Sequence, residues 1–294
     1  MQSRSKNLAF FFLATLLALA DVAVAQDDNL RIVSPISAVP SNEIHNGKLV
    51  WVDLLTTDIQ RAAAFYTSVF GWQSNTASDD TYVELSHDGR VMSSIVLYED
   101  DQASDGDARW LVSMSVPDVD AAVDKVAANG GQILEAATDL PDRGRYAVIS
   151  DSQGALAMLL RATGGDPGDS APIPDEWAFA ELWTDDVEAA VSFYQKVIGY
   201  KVARVPGNSG TERIVLGTDG KARATVVKLP WDDVEPNWLP HIAVASMSST
   251  LQRIIDAGGT VLVRSGETDK AGTAAIAMDP TGGVFAIQQW EVDQ

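Results

Sequence analysis

The sequence predicts an α+β protein made of four βαβββ units, arranged as two similar domains. Three observations support this prediction. Identical residues recur at a spacing of 128 positions, each copy carries the same strand and helix pattern twice, and a Gly- and Pro-rich stretch separates the copies. A unit of this length repeated in tandem is a folded domain. We therefore expect two domains, each with its own core, in this chain of 294 residues.

The repeat is defined by identical residues, many of them glycine or aromatic. In the first copy these are Leu54, Thr56, Asp58, Phe65, Tyr66, Val69, Gly71, Trp110, Gly130, Gly131, Asp151 and Gly154, and each has an identical partner 128 positions later. Positions at which the copies differ indicate where the two domains have diverged.

The N-terminal region has the features of a secretory signal. Arg4 and Lys6 precede the apolar run 8–20, and Ala23-Val24-Ala25 supplies the small residues that signal peptidase accepts. The run is too short to span a bilayer comfortably. We expect residues 1–25 to be a signal peptide and the protein to be exported, either periplasmic or secreted; an uncleaved N-terminal anchor is the alternative.

The rest of the chain divides by composition into two domains and two connecting segments. Residues 26–47 are polar without a clear period, which predicts a tether. The first domain is predicted over 48–162 and the second over 176–292. Between them, residues 163–175 are rich in Gly, Pro and Asp, a composition that neither continues a strand nor starts a helix.

The first unit of each copy shows a strand followed by a capped helix. Residues 50–54 alternate as a strand, and Asp58 is placed to cap a helix that Gly71 ends. Two further strands are expected over 81–86 and 91–98, on either side of a turn at Asp88-Gly89.

The same plan restarts after Trp110. A strand is expected over 111–116, a helix over 119–128, and two more strands over 146–149 and 155–160.

The chain is strongly acidic and contains no cysteine. Its formal net charge is −20, or −21 without residues 1–25. A negative surface repels phosphate backbones and anionic lipids, so we expect no nucleic-acid partner and no membrane partner after signal cleavage. The absence of cysteine excludes disulfides, thiolate metal ligands and a cysteine nucleophile.

The arrangement resembles the vicinal oxygen chelate superfamily, which includes glyoxalase I, extradiol dioxygenases and bleomycin-resistance proteins. The resemblance rests on the Asp-helix-Phe-Tyr-x-x-Val-x-Gly pattern over 58–71 and 186–199, and on the turns 151–154 and 279–282. It implies curved mixed sheets around a ligand cavity, with the helices outside. Isomerases, dioxygenases and ligand-sequestering proteins all share this fold, so the resemblance does not define the function.

Many members of the superfamily hold a divalent metal, and the resemblance implies where its ligands would lie. The corresponding positions are Trp51, Leu111, Met158, Phe179, Leu239 and Ala286. All six side chains are apolar, whereas the usual divalent ions need His, carboxylate or water ligands. We therefore expect no cofactor; a metal held by Glu181, His241 and Gln288 is a less favoured alternative.

Polar residues lie two positions further along the same strands, and so on the same face. Glu181, His241 and Gln288 occupy these positions in the second copy. The corresponding residues of the first copy are Asp53, Ser113 and Leu160. Glu181 and His241 are the candidate catalytic pair, a carboxylate orienting an imidazole that serves as an acid or base; the favoured interpretation is a structural hydrogen bond under a binding pocket. The predicted ligand-binding residues are Trp51, Asp53, Ser113, Phe179, Trp183 and Gln288.

Three functions fit these observations. The preferred one is an exported protein that binds a small organic molecule without a metal, in an aromatic-walled cavity of the second domain. A glyoxalase-like lyase or isomerase, or a dioxygenase, is the enzyme alternative. The third is a non-catalytic subunit that presents its sheets to a protein partner.

Overall fold

A computed structural model describes residues 33–76, 81–98, 106–206, 212–229, 231, 234–264 and 274–290. The predicted signal peptide lies outside these residues. None of the described helices is long and apolar enough to cross a membrane.

The first domain contains eight strands and two helices in two βαβββ units. Its elements are β1 (Leu49–Thr56), α1 (Ile59–Phe70), β2 (Gln73–Thr76), β3 (Tyr82–His87), β4 (Arg90–Leu97), β5 (Arg109–Ser115), α2 (Val119–Ala128), β6 (Gln132–Leu140), β7 (Gly144–Ser150) and β8 (Leu156–Ala162).

The second domain repeats this order. Its elements are β9 (Trp177–Thr184), α3 (Val187–Val197), β10 (Lys201–Pro206), β11 (Glu212–Thr218), β12 (Lys221–Lys228), β13 (Asn237–Val244), α4 (Met247–Asp256), β14 (Thr260–Val263), β15 (Ala274–Met278) and β16 (Val284–Gln289). The predicted α+β class and the four units are confirmed.

Each domain forms one eight-stranded mixed sheet, in which the two consecutive units pair side by side. The strand order is β2-β3-β4-β1-β5-β8-β7-β6 in the first domain and β10-β11-β12-β9-β13-β16-β15-β14 in the second. The central strand β1 runs parallel to β4 and antiparallel to β5. The first strands of the two units therefore meet at the centre of each sheet.

The sequence analysis assigned no residue ranges to the edge strands β2 and β6, although the βαβββ plan includes them. β2 consists of Gln73, Ser74, Asn75 and Thr76, and β6 consists of exposed and half-buried residues without regular alternation. Strands at a sheet edge bury little surface, so they lack the apolar alternation by which a strand is recognised in a sequence.

The helix caps are those the sequence predicts. The Asp58 carboxylate accepts a 2.9 Å hydrogen bond from the Arg61 amide, and Asp186 accepts one of 3.0 Å from Ala189. Gly71 ends α1 with φ +72°, a left-handed conformation that glycine adopts without a Cβ clash.

The helices pack on one face of each sheet. The helix-bearing faces of the two sheets meet in the interior of the molecule. One apolar cluster includes residues from the four helices and from both sheets, with α1 packed against α4 and α2 against α3. The ring centroids of Phe65 in α1 and Phe285 in β16 are 6.2 Å apart. We call the helix-bearing face of each sheet the inner face and the opposite one the outer face.

Two salt bridges hold the linker between the domains. Asp169 in the linker accepts hydrogen bonds of 2.6 and 3.0 Å from the Arg223 guanidinium of the second domain. Lys48, at the start of the first domain, places its Nζ 3.0 Å from the same carboxylate. One linker residue is thus bonded to both domains.

Candidate functional site

Strand alternation in the second domain places Glu181 and His241 on the outer face. Ala180 and Leu182, on either side of Glu181, are buried in the inner core with the helices. Since successive side chains of a strand point to opposite faces, Glu181 points outward. Ile242 is likewise in the inner core, so its neighbour His241 faces outward from β13.

Glu181 is buried and held by two donors. Trp183 Nε1 donates a 2.9 Å hydrogen bond to its Oε1, and Thr225 Oγ1 donates one of 2.8 Å to its Oε2. Only 5% of Glu181 is exposed. These bonds hold the carboxylate in one orientation and compensate for part of its desolvation.

His241 is buried without a hydrogen-bond partner for its ring. Its imidazole stacks on Phe179 with centroids 4.3 Å apart and an interplanar angle of 23°. Neither ring nitrogen has a hydrogen-bond partner among the described residues, and 3% of the residue is exposed. Burial lowers the pKa of His241 to about 4; the nearby Glu181 charge opposes this shift and the Arg213 charge adds to it. The imidazole is therefore neutral at pH 7, with one donor and one acceptor.

Glu181 and His241 interact through charge and not through the hydrogen bond that was predicted. Both residues lie on one face, and the Glu181 charge acts on the imidazole. However, both carboxylate oxygens bond to Trp183 and Thr225, and no hydrogen bond joins the predicted pair. The reason is register: β13 places His241 beside Phe179 and Leu239 beside Glu181.

Aromatic and apolar side chains surround this polar centre. Trp183 packs against Trp231, whose ring lies 5.5 Å away at 32°, and both belong to an apolar cluster on the outer face with Leu239. Gln288 is half-buried on β16 next to Ala243 of β13. The predicted residues Phe179, Trp183 and Gln288 thus share the outer face with His241.

The corresponding residues of the first domain bond to one another. Trp51 Nε1 donates a 2.9 Å hydrogen bond to Asp53, which also accepts one from Ser94 Oγ. Burial raises the pKa of Asp53, and the nearby Arg143 opposes the shift. The Ser113 hydroxyl is buried 3.3 Å from Met158 Sδ, both atoms being on the outer face.

Two residues of these faces were missed by the sequence analysis. Arg143 lies over the Trp51 ring, 3.7 Å from its centroid, and donates a 3.1 Å hydrogen bond to Tyr82. It belongs to the turn between β6 and β7, where no periodic signal marks a buried side chain. Thr225 was detectable, because it alternates with the inner-face residues Ala224 and Val226.

The described residues do not fit the divalent metal site that the resemblance implies. They contain no group of three His, Cys, Asp or Glu side chains that could hold a metal ion. The implied positions carry apolar side chains such as Trp51, Phe179 and Leu239. Glu181, a ligand of the alternative metal site, already accepts hydrogen bonds from two neighbours.

Two family models match the chain, one in each half. The model for the Glyoxalase/Bleomycin resistance protein/Dioxygenase superfamily matches residues 48–159. The model for the Glyoxalase-like domain matches residues 178–288.

Two related proteins match along nearly their whole lengths. The Putative glyoxylase CFP32 of Mycobacterium tuberculosis (strain CDC 1551 / Oshkosh) is 29% identical over 250 residues, covering 84% of this chain and 96% of the relative. The Anthracycline biosynthesis protein DnrV of Streptomyces peucetius is 27% identical over 255 residues, covering 82% of this chain and 92% of the relative.

Solved structures share the fold at lower identity. The Mn(II)-bound glyoxalase from Novosphingobium aromaticivorans aligns with a TM-score of 0.59 and 18% identity over 85% of each chain. The 2,3-dioxygenase LapB from Pseudomonas sp. KL28 aligns with a TM-score of 0.57 and 16% identity over 85% of this chain and 94% of its own. Because both halves match family models and the whole architecture matches these structures, the chain belongs to the glyoxalase/bleomycin resistance protein/dioxygenase superfamily, with one domain in each half.

Proposed function

We propose that the second domain binds a small planar organic molecule on its outer face, with the His241 imidazole as its hydrogen-bonding group. The observation that carries this proposal is the buried imidazole without a partner in the described part of the chain. Leaving a buried polar group unsatisfied costs about 1–3 kcal/mol. A ligand that bonds to the ring recovers this free energy.

The surrounding residues indicate the class of ligand. Phe179, Trp183 and Trp231 provide aromatic surface, and the neutral His241 offers one donor and one acceptor. Aromatic side chains with a few polar groups are typical of sites for planar organic molecules. The similarity to a protein named for anthracycline biosynthesis supports a polycyclic aromatic ligand.

Binding to an anthracycline, followed by quenching of the ligand's fluorescence, tests the proposal. We expect His241→Gln to weaken binding at least about tenfold, the equivalent of about 1.4 kcal/mol. His87→Gln is the matched control, because His87 contacts Glu176 at the start of the second domain and lies outside the site. Unchanged affinity in a folded His241→Gln protein would refute the proposal.

A lyase or isomerase is the second candidate, since one relative is named a putative glyoxylase. His241 would then act as a general base, for which its neutral state and unpartnered nitrogens are suitable. A base with a pKa of about 4 is weak at pH 7, however, and efficient catalysis favours a pKa near the working pH. Binding is therefore the better-supported function. Turnover of a hemithioacetal substrate that His241→Gln abolishes would reverse this order.

We also propose that the protein is exported, on the evidence of the signal-like residues 1–25. N-terminal sequencing of protein from a culture that expresses the full chain tests this. A mature chain beginning near Gln26 is expected, and an intact N-terminus in the soluble cell fraction would contradict it.

A further inference from the structure

Residues 33–37 pack on the outer face of the first domain, and we call this segment the strap. Val33 is 4% exposed and packs with Leu55, Tyr82 and Val96. Ile36 is 6% exposed and packs in a second outer-face cluster that includes Trp51. Two branched side chains of the strap are thus inserted into the face that corresponds to the candidate site of the second domain.

A single carboxylate holds the strap between these two side chains. The Ser34 amide donates a 2.6 Å hydrogen bond to Glu84 Oε1, and the Ser34 hydroxyl donates one of 2.6 Å to Glu84 Oε2. Arg143 lies behind the carboxylate, with Nη2 3.8 Å from Oε1. A carboxylate that accepts two aligned hydrogen bonds recognises a specific arrangement of donors.

The strap is not part of the sheet. Its described residues form no strand, and side chains rather than ladder hydrogen bonds hold it. The strap can therefore leave without breaking the pairing of the sheet. Further along, the Asn42 amide bonds to the Gly164 carbonyl at 3.0 Å, which keeps the strap close to the face.

The second domain lacks the carboxylate that holds the strap. Register places Glu84 next to Ser94 and Asp53 across β3, β4 and β1. The same path from Glu181 through Thr225 leads to Val215. The two outer faces have diverged at the position that binds Ser34.

From these contacts we propose that the outer face of the first domain is a second binding site, for an extended peptide segment, and that residues 33–37 of the same chain are its resident, exchangeable ligand. The segment it recognises carries an N–H and O–H pair for Glu84, with a branched apolar residue on each side. The occupied first domain then leaves only the second domain accessible to a small molecule.

Thiol reactivity in the full chain tests the docking, because the natural sequence has no cysteine to interfere. Ile36→Cys is the buried probe, and Val39→Cys is the matched exposed control, since Val39 is 78% exposed. We expect a disulfide reagent to modify Ile36→Cys at least about tenfold more slowly, because the side chain at position 36 is 6% exposed and that at position 39 is 78% exposed. Equal rates would overturn the proposal. Val33→Cys serves as a second buried probe if Ile36→Cys fails to fold.

Competition in trans tests the exchange. A blocked synthetic peptide of residues 33–39, added to the Ile36→Cys protein, is expected to accelerate modification in a saturable way. The same peptide with Pro in place of Ser34, which lacks both donors, is expected to have no effect, and Glu84→Gln should abolish the response. No acceleration by either peptide would show that the strap is a fixed part of the fold, and equal acceleration by both would refute recognition through Glu84. This readout reports on the first domain alone, so its failure is distinguishable from failure of small-molecule binding in the second.

Discussion

The hydroxyl of Tyr66 in α1 donates a 2.7 Å hydrogen bond to the carboxylate of Asp279, which belongs to the other domain. Trp110 Nε1 donates a 3.0 Å bond to the same hydroxyl. The repeat recreates this group: Trp238 donates to Tyr194 at 2.8 Å, and the Asp151 charge contributes, after burial, to raising the pKa of Tyr194. The repeated Tyr, Asp and Trp residues thus form part of the interface between the domains.

Tyr66→Phe is expected to lower the free energy of unfolding by about 1–3 kcal/mol, because Asp279 loses a buried donor while the aromatic packing is kept. Urea unfolding followed by tryptophan fluorescence measures the change. Since one apolar core spans both domains, we expect a single transition in both proteins. An unchanged midpoint would contradict the structural role of this bond.

His241 is expected to make the protein sensitive to mild acid. Its folded pKa of about 4 lies below the unfolded value of 6.5, so the unfolded chain binds the proton first. Stability from the neutral ring is complete above pH 6.5 and is lost as pH falls towards 4, by about 2–3 kcal/mol at pH 4.5. Urea unfolding of the natural protein and His241→Gln at pH 7 and pH 4.5 measures the difference. Equal losses in the two proteins would disprove this assignment.

Asp169 is expected to change the stability of the protein at a lower pH than His241 does. Its hydrogen bonds with Arg223 and the nearby Lys48 hold its pKa below the usual value of 3.8. The stabilisation is therefore complete above the unfolded pKa and is lost as pH falls below it. Thermal melts of Asp169→Asn and the natural protein should converge as the pH is lowered from 5 to 2.5. A constant difference in melting temperature across this range would exclude the salt bridges as its cause.

Gly259→Ala is expected to destabilise the interface by about 1–3 kcal/mol, as overpacking does. An added Cβ would lie 2.7 Å from Phe65 Cε2 of the other domain and 3.0 Å from the Met278 carbonyl oxygen. Gly168→Ala is the matched control, because no atom lies within 4 Å of its added Cβ. Thermal melting compares the two, and equal melting temperatures would show that the interface accommodates the methyl group.

Much of the fold was predictable because local signals and burial agreed. Asp58 begins α1 because its carboxylate caps the helix, and Gly71 ends it because glycine adopts a positive φ. The alternation around Glu181 indicated the sheet face on which Glu181 lies. The hydrogen-bond partners of Glu181 were harder to predict from the sequence. Thr225 lies 44 positions away along the chain, and only strand pairing brings the two together.

The sequence by itself determined the duplicated architecture, the strand faces and the helix limits, since these depend on periodicity and on residues with strong local preferences. Tertiary structure decided which units pair, that the helices lie between the two sheets, that residues 33–37 cover part of the first domain, and that His241 is buried without a hydrogen-bond partner among the described residues. These features depend on contacts between residues far apart in the chain, which leave no periodic signal. The same 128-residue repeat therefore defines both domains in the sequence, while the segment that covers the outer face of the first domain is defined only when the chain is folded.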